Sequence, residues 1–436
     1  MFIAPALRTS SAWRQLVGAS LVVALGIAAL SARAESALPL DTALQLARER
    51  SRQLPAQDAA ADAARQMAVA AGQRPDPTLK AGINNLPIDG PDRFSTTRDF
   101  MTMRSVGVMQ ELTRGSKLNA RAARFEREAE VAEAARALAL ANLQRDTAVA
   151  WLDRFYQERM REVLVTQRDE AKLQIDAADA AYRGGRGAQA DVFAARAVVA
   201  LIEDRIAQSQ RQIATAQTQL ARWIGDVATT PLSAAPAMDV VSFHPDELEA
   251  RLAHHPDIAV MIKREEVAQA EVDLARANKN ADASVELMYS QRGPSYSNMV
   301  SVNVAIPLQW DEKSRQDREV AAKLAALEQM RAEREETTRM HVAELLAMWQ
   351  EWQSNRERLA RYDSSILPLA AERTSASVAA YRGTTGSLAT VLEARRNEID
   401  VRMDRLRIEM ETARLWAQLN YLVPAPHDAA AMPAAR

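Results

Sequence analysis

The sequence predicts a mainly α-helical chain with a small β part, written twice. Three observations carry this. Ala181-Tyr182-Arg183-Gly184, followed by Gly187 and Val192, recurs 199 residues later as Ala380-Tyr381-Arg382-Gly383, followed by Gly386 and Val391. Long stretches nearly free of Gly and Pro flank both copies. Each copy is also preceded by two short segments in which apolar and polar residues alternate. A pattern of this length, repeated once, marks an internal duplication with about 200 residues per unit.

Composition agrees with helices. Of 436 residues, 48% are hydrophobic but only 5% aromatic, and there are just 14 glycines, which favours long Ala- and Leu-rich helices over sandwiches. A formal charge of −2 excludes a generally basic nucleic-acid binder, so no nucleic-acid partner is expected. The absence of cysteine excludes disulfides, iron–sulfur clusters, thiolate zinc sites and cysteine nucleophiles. No P-loop, HExxH, GxGxxG or GxSxG motif is present, so the expectation is a non-enzyme with no catalytic residues and no cofactor.

The first 34 residues contain Arg8, Arg14 and Arg33 but no acid, an apolar run from Leu16 to Leu30, and Ala32-Arg33-Ala34. This reads as a secretory signal peptide cleaved after Ala34. From Ser116 to Arg183 there is neither Gly nor Pro. One unbroken helix of that length would reach roughly 100 Å. The second copy runs from about Glu312 to Arg382 with Pro368 inside, where a kink or break is expected. Returning segments at about 188–224 and 387–422 complete two helical hairpins. Their apolar positions fall at helical spacing: Val149, Leu152, Tyr156, Met160 and Val163 in one, Val342, Leu345, Trp349 and Trp352 in the other. Steps of seven through Ile206, Ile213 and Leu220, and through Leu392, Ile399, Leu406 and Ala413, read as coiled-coil seams.

Before each hairpin the texture changes to period two. Leu79, Ala81 and Ile83 alternate with Lys80, Gly82 and Asn84; Val106 and Val108 alternate with Ser105, Gly107 and Met109. In the second unit Val285, Leu287 and Tyr289 face away from Glu286, Met288 and Ser290, and Val300, Val302, Val304 and Ile306 from Ser301, Asn303 and Ala305. Such strands suit a soluble core or a lipid-facing barrel wall equally. Counting constrains the second option. Membrane barrels start at about eight strands, and an open sheet edge cannot sit in hydrocarbon. Four strands per chain therefore require several copies to share one barrel, with both hairpins on the periplasmic side.

These features together resemble the TolC-like outer-membrane efflux factors, over the whole mature chain to about Val423. The matching residues are Pro77-x-Leu79, Gln110-x-Leu112 before Gly115 and Lys117, Ile306-Pro307-Leu308 before Lys313, and the doubled A-Y-R-G turn. Asn85-Leu86-Pro87, Gly90-Pro91-Asp92-Arg93-Phe94 and Asp99-Phe100-Met101-Thr102-Met103-Arg104 resemble the heavy-metal branch, the CzcC- and CusC-type proteins. The resemblance implies a homotrimer: four strands per protomer in a shared 12-stranded outer-membrane β-barrel, and long helical hairpins in a periplasmic α-barrel. It implies periplasmic or equatorial helices over 35–76, a first membrane strand pair over 77–112 and a first hairpin over 113–225. An equatorial linker and helix over 226–282, a second strand pair over 283–310, a second hairpin over 311–423 and a flexible tail over 424–436 follow. The implied partners are outer-membrane lipid, a periplasmic adaptor (membrane fusion) protein and an inner-membrane resistance–nodulation–division pump. The implied role is a passive exit duct, here for heavy-metal cations. A multidrug duct, a periplasmic adaptor and a soluble periplasmic metal-binding or scaffold protein are the rivals. Some members carry a lipid on a Cys after signal cleavage, an anchor this cysteine-free chain lacks.

In that family the hairpin tips meet the adaptor and constrict the pore. Gly184, Gly187, Gly383, Gly386 and Ser387 are thereby docking candidates, the glycines serving positive φ and close backbone approach. Tyr182, Arg183, Asp191, Tyr381 and Arg382 are gate candidates; packing and capping of the helix ends is the plainer role for them. His254-His255-Pro256-Asp257 invites a metal reading, but adjacent imidazoles diverge on a helix and Pro256-Asp257 reads as a helix start. Met101, Met103 and Met109 are expected to share a strand face and to fill space, and Arg331 to Arg339 to form a solvated helix face. No metal site is assigned.

Overall fold

The computed structural model describes residues 37–241 and 255–422. The expectations placed on residues 1–34, His254 and 424–436 fall outside them. In the first unit, α1 (Leu40–Arg50) and α2 (Gln53–Ala71) lead into β1 (Thr78–Asn84) and β2 (Met103–Leu112). Then come α3 (Gly115–Arg183) and α4 (Gln189–Ile224). The second unit repeats most of this order with α5 (Pro256–Asn278), β3 (Ala283–Gln291), β4 (Met299–Ala305), α6 (Gln316–Arg361), α7 (Leu367–Arg382) and α8 (Leu388–Leu422). Among the described residues no helix is long and apolar enough to cross a membrane.

The 69 residues of α3 form one helix because nothing in them interrupts the hydrogen-bond ladder. One face carries Trp151, Leu152, Tyr156, Met160 and Leu164, all at most 4% exposed. Burying such side chains contributes about 1.5–3 kcal/mol each. Two cores result. A broad one gathers Trp151, Tyr156, Leu220, Leu345, Trp352 and Trp416 with Leu38, Leu40 and Leu44 of the first segment. There the indole N–H of Trp151 donates to the Leu38 carbonyl (3.2 Å) and that of Trp416 to Val240 (2.9 Å). The second core lies toward the helix turns, where Leu164, Ala171, Ala178, Val192, Val199 and Ile206 meet Leu388, Val391, Leu392 and Ile399. Of the seven-residue steps, Ile206, Leu220, Leu392, Ile399, Leu406 and Ala413 are buried and Ile213 is half-buried, and both hairpins share one tip core.

The second outgoing helix does not break at Pro368 but widens one turn before it. Residues Tyr362–Ile366 form a π turn, closed by Leu367 N–H donating to the Tyr362 carbonyl, and Pro368 sits in the first turn of α7. A proline ring clashes with the carbonyl four residues before it. Widening the turn at Ser364 relieves that clash while the helix continues. Arg331 and Arg334 also depart from the expected free surface. Both reach Glu265 of α5, at 3.0 and 2.9 Å, and so tie α6 to α5.

The four strands form one antiparallel sheet in the order β1-β2-β3-β4. Its registers place Leu79 opposite Val108, Val108 opposite Leu287 and Leu287 opposite Val302, a continuous apolar row. The other face is polar. Lys80 reaches Glu286 (3.1 Å), and Ser105 bridges Asn84 (2.7 Å) and Ser290 (3.1 Å). Gly107 stands between Lys80 and Met288 in the register, and a Cβ there would lie 2.7 Å from the Leu287 carbonyl oxygen. Met103 and Met109 share this polar face, whereas Met101 precedes β2 and lies outside the ladder.

Candidate functional site

Two features stand apart from the packed cores: the sheet at one end and the two helix turns at the other. The sheet's apolar face is open. Leu79, Val106, Leu287, Tyr289, Val300, Val302 and Val304 are 45–71% exposed, far more than a folded chain leaves bare along one contiguous row. Aromatic side chains bracket that row. Phe94, Phe100 and Tyr296 are exposed in the loops beyond the far ends of the strands, and Trp310, 88% exposed, follows β4 on the helical side. Ten-residue alternation with aromatic girdles is the pattern of a barrel wall in lipid. Among the described residues β1 and β4 each pair on one side only, so the sheet has two open edges.

At the opposite end the two turns are near copies. After α3, Gly185 N–H donates to Tyr182 (3.0 Å) and Arg186 N–H to Ala181 (2.9 Å). After α7, Thr384 N–H donates to Tyr381 (3.1 Å) and Thr385 N–H to Ala380 (3.0 Å). Both are Schellman closures, which satisfy the last carbonyls of the outgoing helix. Such a closure needs one left-handed residue. Gly184 and Gly383, expected to supply it, have φ −79° and −78°. The positive φ belongs to Gly185 (68°) and, in the second turn, to Thr384 (64°). The close approach belongs to Gly187 and Gly386, where a Cβ would meet Ala181 Cβ at 3.2 Å and Ala380 Cβ at 3.0 Å.

The candidate gate residues divide by what they touch. The Asp191 carboxylate accepts the N–H of Ala188 (3.2 Å), and Ser387 Oγ accepts that of Thr390 (3.2 Å), so both cap the returning helices. Arg183 pairs with Asp179 one turn back (2.5 Å). Tyr381 packs against the tip core, while Tyr182 and Arg382 are exposed. Sequence reasoning missed what ties the hairpins to each other. Glu170 of α3 pairs with Arg395 of α8, Arg205 of α4 with Asp400 (2.8 Å), and Asp153 of α3 with Arg414 (2.5 Å). Partners so far apart in sequence leave no local signal.

His255 serves the start of α5. Its Nδ1 accepts the N–H of Asp257 (3.3 Å), with Pro256 at the first helical position. Its ring stacks on His341 of α6, centroids 4.7 Å apart, and His341 Nε2 meets Asp257 Oδ2 at 2.8 Å. Burial first, and the neighbouring His341 second, push His255 down to about 4. Accepting from a backbone N–H requires the neutral ring, which agrees with that direction.

Comparison with known proteins finds a likeness of fold over most of the chain and of sequence over the first unit. No curated protein matches the sequence at a significant level. Among solved structures, the outer-membrane channel OprN superposes with a TM-score of 0.75 at 17% identity, over 88% of this chain and 90% of that one. The outer membrane protein VceC of Vibrio cholerae gives 0.73 at 19% identity, over 88% and 96%. CusC, described with its transmembrane channel formation, gives 0.73 at 16% identity, over 87% and 92%. At these identities the likeness establishes the fold. Residues 43–226, from α1 through the first hairpin, match the outer membrane efflux protein family model. That match covers the first unit, and the likeness of fold to solved outer-membrane channels extends over both units.

Proposed function

We propose that three copies of this chain form the outer-membrane exit duct of a tripartite efflux system, which passively conducts heavy-metal cations to the exterior. The observation that carries the reading is the sheet: apolar on one exposed face, polar on the other, and open at both edges. Each unpaired backbone group left in hydrocarbon costs several kcal/mol, so the edges demand closure by further copies. Three copies give twelve strands. The face of Lys80, Ser105, Glu286 and Ser290 then lines a wet lumen, and the apolar row meets lipid. The hairpins, far too polar for a bilayer, extend beneath as the conduit toward a periplasmic adaptor and a resistance–nodulation–division pump.

Energy for export comes from the pump. The duct's chemistry is to admit substrate without holding it, since conduction requires weak and multiple contacts. The spaced sulfurs of Met103 and Met109 beside hydroxyls and one ion pair fit that requirement better than a tight ligand cage does. Metal cargo is favoured by the Asn85 to Pro87 and Asp99 to Arg104 segments, which resemble the heavy-metal branch. At the tip, the exposed Tyr182 and Arg382, with Arg183 held by Asp179 and Tyr381 packed on the tip core beside them, are the side chains placed to meet an adaptor or narrow the pore, and Asp191 and Ser387 fix the turns that present them.

The test is growth of a deletion strain, with the complemented strain beside it, on Co, Zn, Cd, Ni, Cu and Ag salts and on common drugs and detergents. Sensitivity confined to metals is expected. Sensitivity to drugs and bile-like detergents instead would retain the duct and remove the metal cargo. Extraction of the protein from membranes by salt or carbonate would remove the duct itself.

A further inference from the structure

The apolar face of the sheet ends on a row of a different kind. Across the registers that face reads Leu79, Val108, Leu287 and Val302, then Ala81, Val106, Tyr289 and Val300, then Ile83, Arg104 and Gln291. Successive rows lie about 7 Å apart along a strand. Asn298, just before β4, reaches the level of the last row, where its side-chain amide donates to the Tyr289 hydroxyl (2.8 Å). Within one step the face changes from apolar to polar and charged. Both helical hairpins leave from the opposite end of the strands, so on the exit-duct reading this is the extracellular end.

Four arginines and no lysine occur in this end of the sheet and its loops, and three of them are engaged. Arg93 lies over the Phe94 ring (4.7 Å), and Arg98 meets Asp92 (3.6 Å) and Ser95 (3.4 Å). Arg292 donates to the Phe100 carbonyl and lies over Tyr296 (4.9 Å). Arg104 makes no ion pair or hydrogen bond among the described residues. It is half-buried, and its Nε is shielded from water with no acceptor. A buried donor left in that state is costly until an acceptor arrives.

The surroundings of Arg104 say which acceptor fits. Tyr289 is its diagonal neighbour on β3, a spacing that long side chains bridge. The Tyr289 hydroxyl accepts the Asn298 amide proton and so keeps its own proton to donate. A guanidinium fork beside an O–H donor suits the oxygens of a phosphate. Directly below lie Val106, Val300 and Val302, all open, which suit acyl chains. A soluble anion would use only the first of these surfaces, whereas a lipid with a phosphate headgroup uses both. We propose that Arg104, with Tyr289, binds the phosphate of an outer-leaflet glycolipid whose acyl chains lie along Val106, Val300 and Val302. This rests on the exit-duct reading, which puts the apolar face in lipid. It also explains why a charge is tolerated on that face at all: an arginine costs a barrel wall little at the interface and much at the midplane, and Arg104 stands on the last row.

The test is native mass spectrometry of the full-length protein in detergent, titrated with an acylated, bisphosphorylated glucosamine disaccharide or with the same lipid stripped of phosphate. One phosphorylated lipid per chain is expected at saturation. Arg104→Gln should bind it about tenfold more weakly, the loss of a charge-assisted hydrogen bond. Arg98→Gln, which removes an arginine already paired at the same end, should bind as the unaltered protein does. Should Arg104→Gln fail to assemble, Arg104→Lys keeps the charge without the fork and should show a smaller loss. Equal binding of the stripped lipid, or binding indifferent to Arg104 in an intact trimer, overturns the site and leaves the duct. Displacement of the lipid by an equal concentration of inorganic phosphate assigns Arg104 to a free anion and overturns the lipid. Protein that carbonate strips from vesicles containing this glycolipid overturns both site and duct.

Discussion

Leu164 and Ile206 in the first hairpin occupy the repeat positions of Asp363 and Arg405 in the second, and different forces hold the two pairs. Leu164 and Ile206 are buried, 2% and 7% exposed, in the tip core. Asp363 sits in the π turn with its side chain half exposed, and takes Arg405 at 2.7 and 3.3 Å; Arg405 also meets Glu409. The reason lies in Pro368. The proline forces a widened turn, the widened turn moves position 363 out of the packed register, and an apolar side chain there would face water. A reaching ion pair spans the gap. The difference teaches that a duplicated sequence need not duplicate mechanics: one hairpin is a continuous rod, the other a rod with a joint.

The largest expected effect tests what the hairpins still share, the close approach at the turn. Gly187→Val and Gly386→Val should each strain the turn, because an added Cβ there would lie only 3.0–3.2 Å from an alanine methyl. Overpacking of this kind costs roughly 1–3 kcal/mol per site. Amide exchange at residues 180–190 and 379–390 should accelerate and metal resistance should fall, whereas valine at Gly184 or Gly383, with φ near −79°, should disturb exchange less. Equal effects at all four glycines would show that the turns are not set by that approach.

The two units also differ where their shorter helices begin. The N-cap of α2, Arg52, makes no side-chain cap, and the nearest help is Ser51 Oγ accepting from Leu54 N–H at 3.4 Å. At α5 the cap is the buried His255, faced by His341 of α6 and by Asp257 on its own helix, with Glu344 beyond His341. With His255 pushed down to about 4 in the fold, the unfolded chain binds a proton there near pH 6.5 and the folded chain does not. Stability from this group is thus complete above pH 6.5 and is lost as pH falls toward 4. The loss between pH 7.5 and 4.5 should be about 3 kcal/mol. His255→Asn keeps a capping side chain and removes the titration, so its stability should decline less over that range in denaturant unfolding. Parallel declines for the two proteins would assign the acid sensitivity elsewhere.

Much of this architecture can be read along the chain, and the unread part has a common cause. Alternation at 79–83, 106–109, 285–290 and 300–306 gave four strands, and the absence of Gly and Pro gave α3 to within one residue. These are local rules of backbone and burial. The sheet order placing β2 beside β3, and the pairs Glu170–Arg395, Arg205–Asp400 and Asp153–Arg414, join residues more than 160 positions apart, where no local rule acts. The tip was legible as a turn but not in its parts: the motif A-Y-R-G draws attention to Gly184 and Gly383, while the left-handed residue is the next one along. Only the helix-capping register distinguishes them.

A smaller effect tests the joint directly. Replacing Asp363 by Leu and Arg405 by Ile together restores the residues of the first hairpin at both positions. Exposed ion pairs contribute about 0.2–1 kcal/mol, so the double variant should be near neutral. Arg405→Ile alone should cost about 1 kcal/mol, because Asp363 and Glu409 lose their shared partner. A double-mutant cycle from denaturant unfolding measures the coupling. A double variant as unstable as the sum of its singles would mean that the π turn, and not the ion pair, sets the geometry.

The smallest effect concerns one residue, Thr384, against its counterpart Gly185. Both take the left-handed position of their turn, at φ 64° and 68°. Glycine does so at no steric cost, whereas a β-branched residue there brings its side chain against the backbone. The second tip therefore holds strain of about 1–2 kcal/mol that the first does not. Thr384→Gly should release it, less what glycine's freedom adds to the unfolded chain, for a net gain of about 0.5–1 kcal/mol. Slower amide exchange across 383–387 would record that gain, and Gly185→Thr should produce the reverse at 184–188. If relief at Thr384 also lowers resistance, the strain is tied to opening and the jointed hairpin is the moving one. If resistance is unchanged while exchange slows, the strain is only the cost of a threonine in a glycine's place, and the asymmetry between the hairpins rests on Pro368 alone.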